Sequence, residues 1–282
     1  DRHLRGPRRD DDEGRPRPRS RRSRTRKEEL TSLPHKADLL AARALDSDRE
    51  AFAELIAEPA LLEQPRFRTV IPVLALTATQ LGLEAPAPWH RQLLRTAASF
   101  LRLEKDLAAV GKALDDAGIP WMPIKGMDLA SRLWPGPEAR PTSDLDVLVP
   151  HASLAEARAT LVEAGWTGLA QRPVDEQYLQ AEGYNWQARN ASGTLLELHF
   201  RLWSSTPAAW AEAVWAGSLE APELGSHARR PSWADAFVLC AVHVWQDPPP
   251  HSLLYYRELE LIARRCGEAG LAQVDESARR RG

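Results

Sequence analysis

The stretch Ile124-Lys-Gly-Met-Asp-Leu-Ala130, continued by Arg140-Pro-Thr-Ser-Asp-Leu-Asp-Val-Leu-Val149, decides how the rest of the chain is read. Its second half closes on a short apolar strand carrying two carboxylates, Asp144 and Asp146. Strand side chains alternate between faces, so the two acids point one way while Leu145, Val147 and Val149 point the other. One face packs into a core and the other presents paired negative charge. Two carboxylates that close repel each other unless a cation lies between them, and hard oxygen ligands suit Mg2+. The pattern is the beginning of a metal-dependent phosphoryl-transfer site.

Upstream, Ile119-Pro-Trp-Met-Pro-Ile124 reads as a strand with Pro at its start and near its end, hence short or peripheral. Lys125-Gly126 turns from it into a helix through Leu133, which Pro135-Gly136-Pro137 breaks. Downstream, Ser153 and Glu156 predict a capped helix running to Ala164 and ending at Gly165. The segment 166–182 is poorly patterned and reads as a strand fragment plus loop. Tyr184 to Arg189 and Thr194 to Phe200 form a hairpin around Asn190-Ala-Ser-Gly193. In its second strand Leu195, Glu197 and His199 share a face, and Glu197 sits between Leu196 and Leu198, where a charge is costly without a partner.

Helices flank this region. Ser47 with Glu50 predicts a capping box, and Val70, Ile71, Val73, Leu74 and Leu76 predict a buried helix. A long helix begins near Pro88, with Phe100, Leu101, Leu107, Val110 and Leu114 in its stripe and Gly118 as its stop. After Pro207 the pattern returns to helices. One opens at Ser232 with Asp235 and runs to about Trp245, and another runs from Ser252 to Cys266 beyond Asp247-Pro-Pro-Pro250. There is no internal repeat. The expected fold is α+β, a small mixed sheet bearing the acidic cluster with helices before and after it. The regions are a tail (1–34), an N-terminal helical region (35–118), a core (119–206) and a C-terminal helical region (207–282).

At 282 residues the chain can bury a substantial core, and its net charge of −2 names no partner. The charge is uneven: Arg15 to Lys27 holds eight basic residues interrupted only by Pro, Ser and Thr. That low-apolar segment reads as a solvated tail or, because the chain opens on Asp1, as an extension upstream of the folded protein. Nucleic acid is expected as a partner only through this tail. The two cysteines, Cys240 and Cys266, lack metal or disulfide spacing and read as buried thiols. No membrane span or signal peptide is legible, which predicts a cytoplasmic protein without a membrane partner.

The phosphate-binding Walker loop, the dinucleotide glycine fingerprint, the zinc-protease helix and the serine nucleophile elbow are all absent. What remains is the Asp-x-Asp strand, the Lys-Gly turn before it and the acid on a later strand. The combination Ile-Lys-Gly, Arg140, Ser143-Asp-Leu-Asp-Val-Leu-Val149, Ala164-Gly-Trp166 and Leu196-Glu-Leu-His-Phe200 resembles the DNA polymerase β-like nucleotidyltransferase superfamily. Within it the pattern is similar to a bacterial uncharacterised nucleotidyltransferase family.

The resemblance implies that Asp144, Asp146 and Glu197 ligate two Mg2+ ions, with Mn2+ as a substitute, and that Glu197 also serves as general base. It implies nucleotide binding by Lys125, Gly126, Arg140, Ser143 and His199. Lys125-Gly126 stands where the superfamily carries Gly-Ser, which removes a phosphate contact and leaves the donor open. Arg140 is expected either to clamp a phosphate or to pair with the carboxylates. His199 is expected to orient Glu197, touch substrate or serve structure. His243 reads as a core histidine, and Trp203 or Trp210 as core residues or as a platform for a base.

The implied activity is transfer of a nucleotidyl group from a nucleoside triphosphate to a hydroxyl or phosphate of a small-molecule, peptide or protein acceptor. The resemblance also suggests a setting in bacterial natural-product biosynthesis. Two alternatives remain: the same fold with another activated donor such as a nucleotide sugar, or a non-catalytic nucleotide- or RNA-binding module.

Overall fold

Alternation of apolar and polar residues with period two builds the centre of the molecule. A computed structural model describes residues 36–58, 62, 67–134, 136–169, 183–203, 206–246 and 253–279. The basic arm 15–27, the breaks at Pro135 and 247–250 and most of the segment 166–182 lie outside the described residues. Strands β1 (Met122–Pro123), β2 (Asp144–Leu148), β3 (Thr167–Gly168), β4 (Asn185–Arg189) and β5 (Leu195–His199) form a mixed sheet in the order β1-β2-β5-β4-β3. β2 and β5 run parallel, and the other neighbours are antiparallel. The fold is α+β, as expected. β1 is a two-residue edge strand, which is where a Pro-bearing strand can be tolerated.

The helices are α1 (Lys36–Leu45), α2 (Arg49–Ala57), α3 (Ile71–Gln80), α4 (Ala87–Asp116), α5 (Gly126–Leu133), α6 (Leu154–Glu163), α7 (Ala208–Ala216), α8 (Trp233–Gln246) and α9 (Leu253–Arg279). A small ribbon, β6 (Leu219–Glu220) with β7 (Arg229–Arg230), adjoins β1 through a bridge between Trp121 and Ala228. The described residues from 37 onward form one compact unit.

The sheet's two faces do different work. Leu145, Val147, Leu196, Leu198, Trp186 and Ala188 lie in one buried cluster with Phe100, Leu103, Leu107, Val110 and Leu114 of α4 and Leu161 of α6. Burial of side chains of this size contributes about 1.5–3 kcal/mol each, which ties the long N-terminal helix to the sheet. A second cluster joins Leu148 and Met122 to Leu202, Val214 of α7 and Leu239 of α8. A third holds α1 to α3 against α8 and α9 through residues such as Phe52, Leu74, Leu254 and Ile262.

The helix ends show where local reading works. Ser232 caps α8: its Oγ accepts from the Asp235 N–H (3.1 Å) and donates to the Asp235 carboxylate (2.7 Å). The cap of α2, in contrast, is Asp48 and not Ser47. Asp48 has extended backbone and accepts from the amides of Glu50 (3.0 Å) and Ala51 (3.1 Å), while Ser47 sits at φ 66°. Ser153 makes no capping bond, because the 3-10 turn His151–Ser153 leads directly into α6 and leaves Ser153 in helical backbone. Of the two thiols Cys240 is buried and Cys266 only partly so.

Candidate active site

The parallel register of β2 and β5 pairs Asp146 with Glu197 and Leu148 with His199, and the antiparallel register of β4 sets Gln187 opposite Glu197. Residues paired across strands project from the same face. The polar face of the sheet therefore gathers Asp144, Asp146, Glu197 and His199 from segments about fifty residues apart, with Asn185 and Gln187 beside them.

His199 is fully buried, and its Nε2 lies 2.9 Å from Asp146 Oδ1 and 3.5 Å from Glu197 Oε2. Two carboxylate oxygens facing one ring nitrogen call for a proton on that nitrogen. Lys125 Nζ reaches the same Asp146 Oδ1 at 3.0 Å and stands 5.8 Å from the centre of the Trp203 ring. Glu197 is held from the neighbouring strand, Oε2 accepting from Asn185 Nδ2 and Oε1 from Gln187 Nε2, both at 2.8 Å. Asp144 Oδ1 accepts from Ser143 Oγ at 3.3 Å.

The electrostatics are uneven across this face. Burial alone would raise the Asp146 carboxyl, but Lys125 and His199 outweigh it and hold the group far below the usual carboxylate range. The His199 hydrogen bond likewise lowers Glu197, against burial. Burial works against the charged Lys125, yet Asp146 keeps its ammonium above the usual range. Asp144 moves the opposite way: burial, then the charges of Asp146 and Glu197, push its carboxyl up. The cluster carries more negative charge than its own cations neutralise.

The turn that presents Lys125 is strained in a specific way. Lys125 occupies φ 55°, ψ −118°, an unusual conformation for a side-chain-bearing residue, and precedes the first residue of α5. Its carbonyl accepts from Leu129 N (2.8 Å), starting the helix, while Ile124 N donates to Asp146 O (3.0 Å). The turn is thus bolted to β2 through both its backbone and its side chain. Gly126 is required for space: a Cβ there would meet Thr142 Cγ2 at 2.8 Å.

A cavity of about 580 Å3 opens over the polar face, lined by Lys125, Asp144, Asp146, Glu197 and Trp203 on the sheet side and by residues of α8 and α9 opposite. Such a volume is in the range of small-molecule and cofactor sites. Arg140 lines it too, but its guanidinium pairs with Glu258 of α9, Nε to Oε1 at 2.6 Å, and with neither Asp144 nor Asp146. His243 lines the cavity in edge-to-face contact with Tyr255 (5.1 Å), a position the expectation of a core histidine did not anticipate. Trp210 packs beside the cluster of α7 and α8, away from the cavity lining.

Residues 56–270 match the family described as uncharacterised nucleotidyltransferase. The chain belongs to that nucleotidyltransferase family. It is accordingly a transferase enzyme, not a pure binding module. Among solved structures the nucleotidyltransferase is similar to the solution structure of the antibiotic-resistance factor ANT(2'')-Ia, with 16% identity and a TM-score of 0.42 over 61% of this chain and 88% of that one. It is also similar to the crystal structure of ANT(2'')-Ia in complex with adenylyl-2''-tobramycin, with 17% identity and a TM-score of 0.42 over 63% and 96% of the two chains. At that similarity they say nothing of this chain's substrates. No curated protein matches the chain.

Among the described residues, one group of acids and histidine offers ligand atoms close enough for a metal ion. It comprises Asp146, Glu197 and His199, whose candidate ligand atoms lie within 4.8 Å of one another, although a His199 Nε2 that donates to the carboxylates leaves the ligation to their oxygens. Asp144 stands two residues earlier on the same face, outside that tightest set. The donors are chiefly hard carboxylate oxygens, and their surplus charge is what a divalent cation would neutralise. The residues therefore suit Mg2+ or Mn2+. No helix of the described residues is long and apolar enough to cross a membrane.

Sequence reading missed Glu258, Asn185 and Gln187. Each leaves a trace: Asn185 and Gln187 alternate with buried Trp186 and Ala188, and Glu258 interrupts the apolar face formed by Leu254 and Ile262 at helical spacing.

Proposed function

We propose that the protein transfers a nucleotidyl group from a nucleoside triphosphate to a hydroxyl or phosphate of a small-molecule, peptide or protein acceptor. In this reading Asp144, Asp146 and Glu197 hold Mg2+, as two ions, with Mn2+ able to replace it. The observation that carries the reading is the convergence of these carboxylates on one sheet face, under a cavity, with Asp144 pushed towards protonation by burial and then by the other two. Bound metal supplies Lewis-acid polarisation of the phosphoryl group and eases deprotonation of the attacking hydroxyl.

The chain's own residues do the rest. Lys125 offers a point charge beside the first turn of α5, whose outward N–H groups suit phosphate oxygens. Arg140 has committed its fork to Glu258, which leaves Lys125 as the cation of this wall nearer the carboxylates. His199 fixes the rotamers of Asp146 and Glu197. Glu197, with both oxygens accepting hydrogen bonds and its carboxyl held low, is better suited to holding a cation than to taking up a proton. In the transfer the acceptor oxygen bonds to the α-phosphorus, the bridge to the β-phosphate breaks, pyrophosphate leaves with that electron pair, and the proton of an acceptor hydroxyl passes to water. Only the family resemblance supports a natural-product setting.

The test is pyrophosphate release by the full chain, supplied with Mg2+, each nucleoside triphosphate and pools of hydroxyl- and phosphate-bearing acceptors. Acceptor-dependent release that disappears in folded Asp144→Ala and Asp146→Ala variants is expected. Equal release by wild type and both variants overturns the site. Turnover only with a nucleotide sugar overturns the donor and keeps the carboxylates.

A further inference from the structure

Glu258 is fully buried on α9, on the face that carries Leu254 and Ile262. Its carboxylate receives Arg140 as a fork, Nε to Oε1 at 2.6 Å and Nη2 to Oε2 at 3.1 Å, and Trp134 Nε1 donates to Oε1 at 3.2 Å. The remaining guanidinium nitrogen, Nη1, donates to Thr142 Oγ1 (2.9 Å) and to the Pro141 carbonyl (3.1 Å). Thr142 is in turn the residue against which Gly126 packs, so closely that no Cβ fits between them, and Arg140 Nη1 would lie 3.5 Å from such a Cβ. One carboxylate on α9 thus fixes, through one guanidinium, both the lead into Asp144 and the turn that presents Lys125.

We propose that Glu258 is a positioning residue for the acidic cluster: acting through Arg140 and Thr142, it sets the spacing between the entry to β2 and the Lys125–Gly126 turn. The inference rests on reading Asp144, Asp146 and Glu197 as a metal-dependent transfer site. Two buried charges are a costly way to attach a helix, since apolar residues of like volume often hold as well or better. What a bidentate fork adds is direction, and here the direction is spent on the two segments that flank the carboxylates.

That asymmetry supplies the test. Removing one partner, as in Glu258→Gln, strands a buried charge and endangers the fold. Removing both, with Arg140→Met and Glu258→Met together, restores an apolar contact. Two readouts are made on the full chain: hydrogen exchange of the amides of residues 125–127 and 142–144, and Mn2+ affinity from the paramagnetic signal of the free ion.

We expect the double variant to melt near wild type, to exchange these amides faster, and to bind Mn2+ about 10- to 100-fold more weakly, the effect usual for outer partners of metal ligands. Glu258→Asp, which keeps the charge, recovers part of both. A double variant with wild-type exchange at these amides, or with faster exchange and unchanged Mn2+ affinity, overturns the inference and leaves the pair as helix attachment alone. Should the double variant not fold, Arg140→Lys, which keeps the charge and loses the fork, is judged by the same two readouts. If wild type itself binds no Mn2+, the metal reading fails, and the exchange result alone decides whether Glu258 sets the spacing.

Discussion

Two groups of buried charge stand within a few residues of each other and are balanced on opposite terms. Between Arg140 and Glu258 every charge has its counterpart: one guanidinium, one carboxylate, and hydrogen bonds to Trp134, Thr142 and Pro141 for what remains. On the sheet, Asp144, Asp146 and Glu197 face the single ammonium of Lys125 and the ring of His199. The first group is complete in itself. The second is complete only with added positive charge, and Asp144, pushed up by burial and by its two acidic neighbours, records the deficit. The difference teaches where to look for chemistry: a buried charge cluster that the protein has balanced is structure, and one it has left unbalanced awaits a ligand.

The contrast breaks first on activity. Asp146→Ala should lower turnover about a thousandfold or more, the loss of several kcal/mol of charge stabilisation, while circular dichroism and melting stay those of a folded protein. The balanced group should fail in the other currency. Arg140→Met alone should destabilise the protein by about 3–5 kcal/mol in urea unfolding, because Glu258 is left charged and buried.

A smaller effect sharpens the comparison through pH. Because the folded chain raises the Asp144 carboxyl, it holds that proton more tightly than the unfolded chain does. Metal-free stability therefore falls as pH rises from the ordinary carboxylate range through the raised value. Asp144→Asn should remove this slope and raise the metal-free melting temperature at neutral pH by about 2–4 °C, the equivalent of roughly 1 kcal/mol. Asp146 and Glu197, lowered on folding, contribute with the opposite sign: their stabilisation is present above the ordinary range and is lost as pH falls through their lowered values. The smallest change should come from Gln187→Ala, which frees one oxygen of Glu197 at an exposed hydrogen bond. It should weaken Mn2+ binding by about tenfold or less, with little change in melting.

Much of this arrangement was legible because it is local. Alternation alone put Asp144 with Asp146 and Glu197 with His199, and the turn residues at 190–193 joined β4 to β5. Gly118 ended α4 and Ser232 opened α8, since each signal acts within one helical turn. The errors also have local causes. Ser47 and Asp48 are both competent caps, and only the backbone conformation chose Asp48. What sequence could not show is pairing across distance: Arg140 finds Glu258 118 residues away, and nothing in a Lys-Gly pair announces that the Lys takes φ 55°.

The most direct measurement is calorimetric titration of each nucleoside triphosphate, with and without Mg2+, into wild type and Asp146→Ala. Binding that requires the metal and vanishes or weakens sharply in the variant is expected, while Arg140→Lys, away from the carboxylates, loses less. Binding indifferent to both the metal and the loss of Asp146 would contradict the metal site, and the acidic face would then hold no nucleotide.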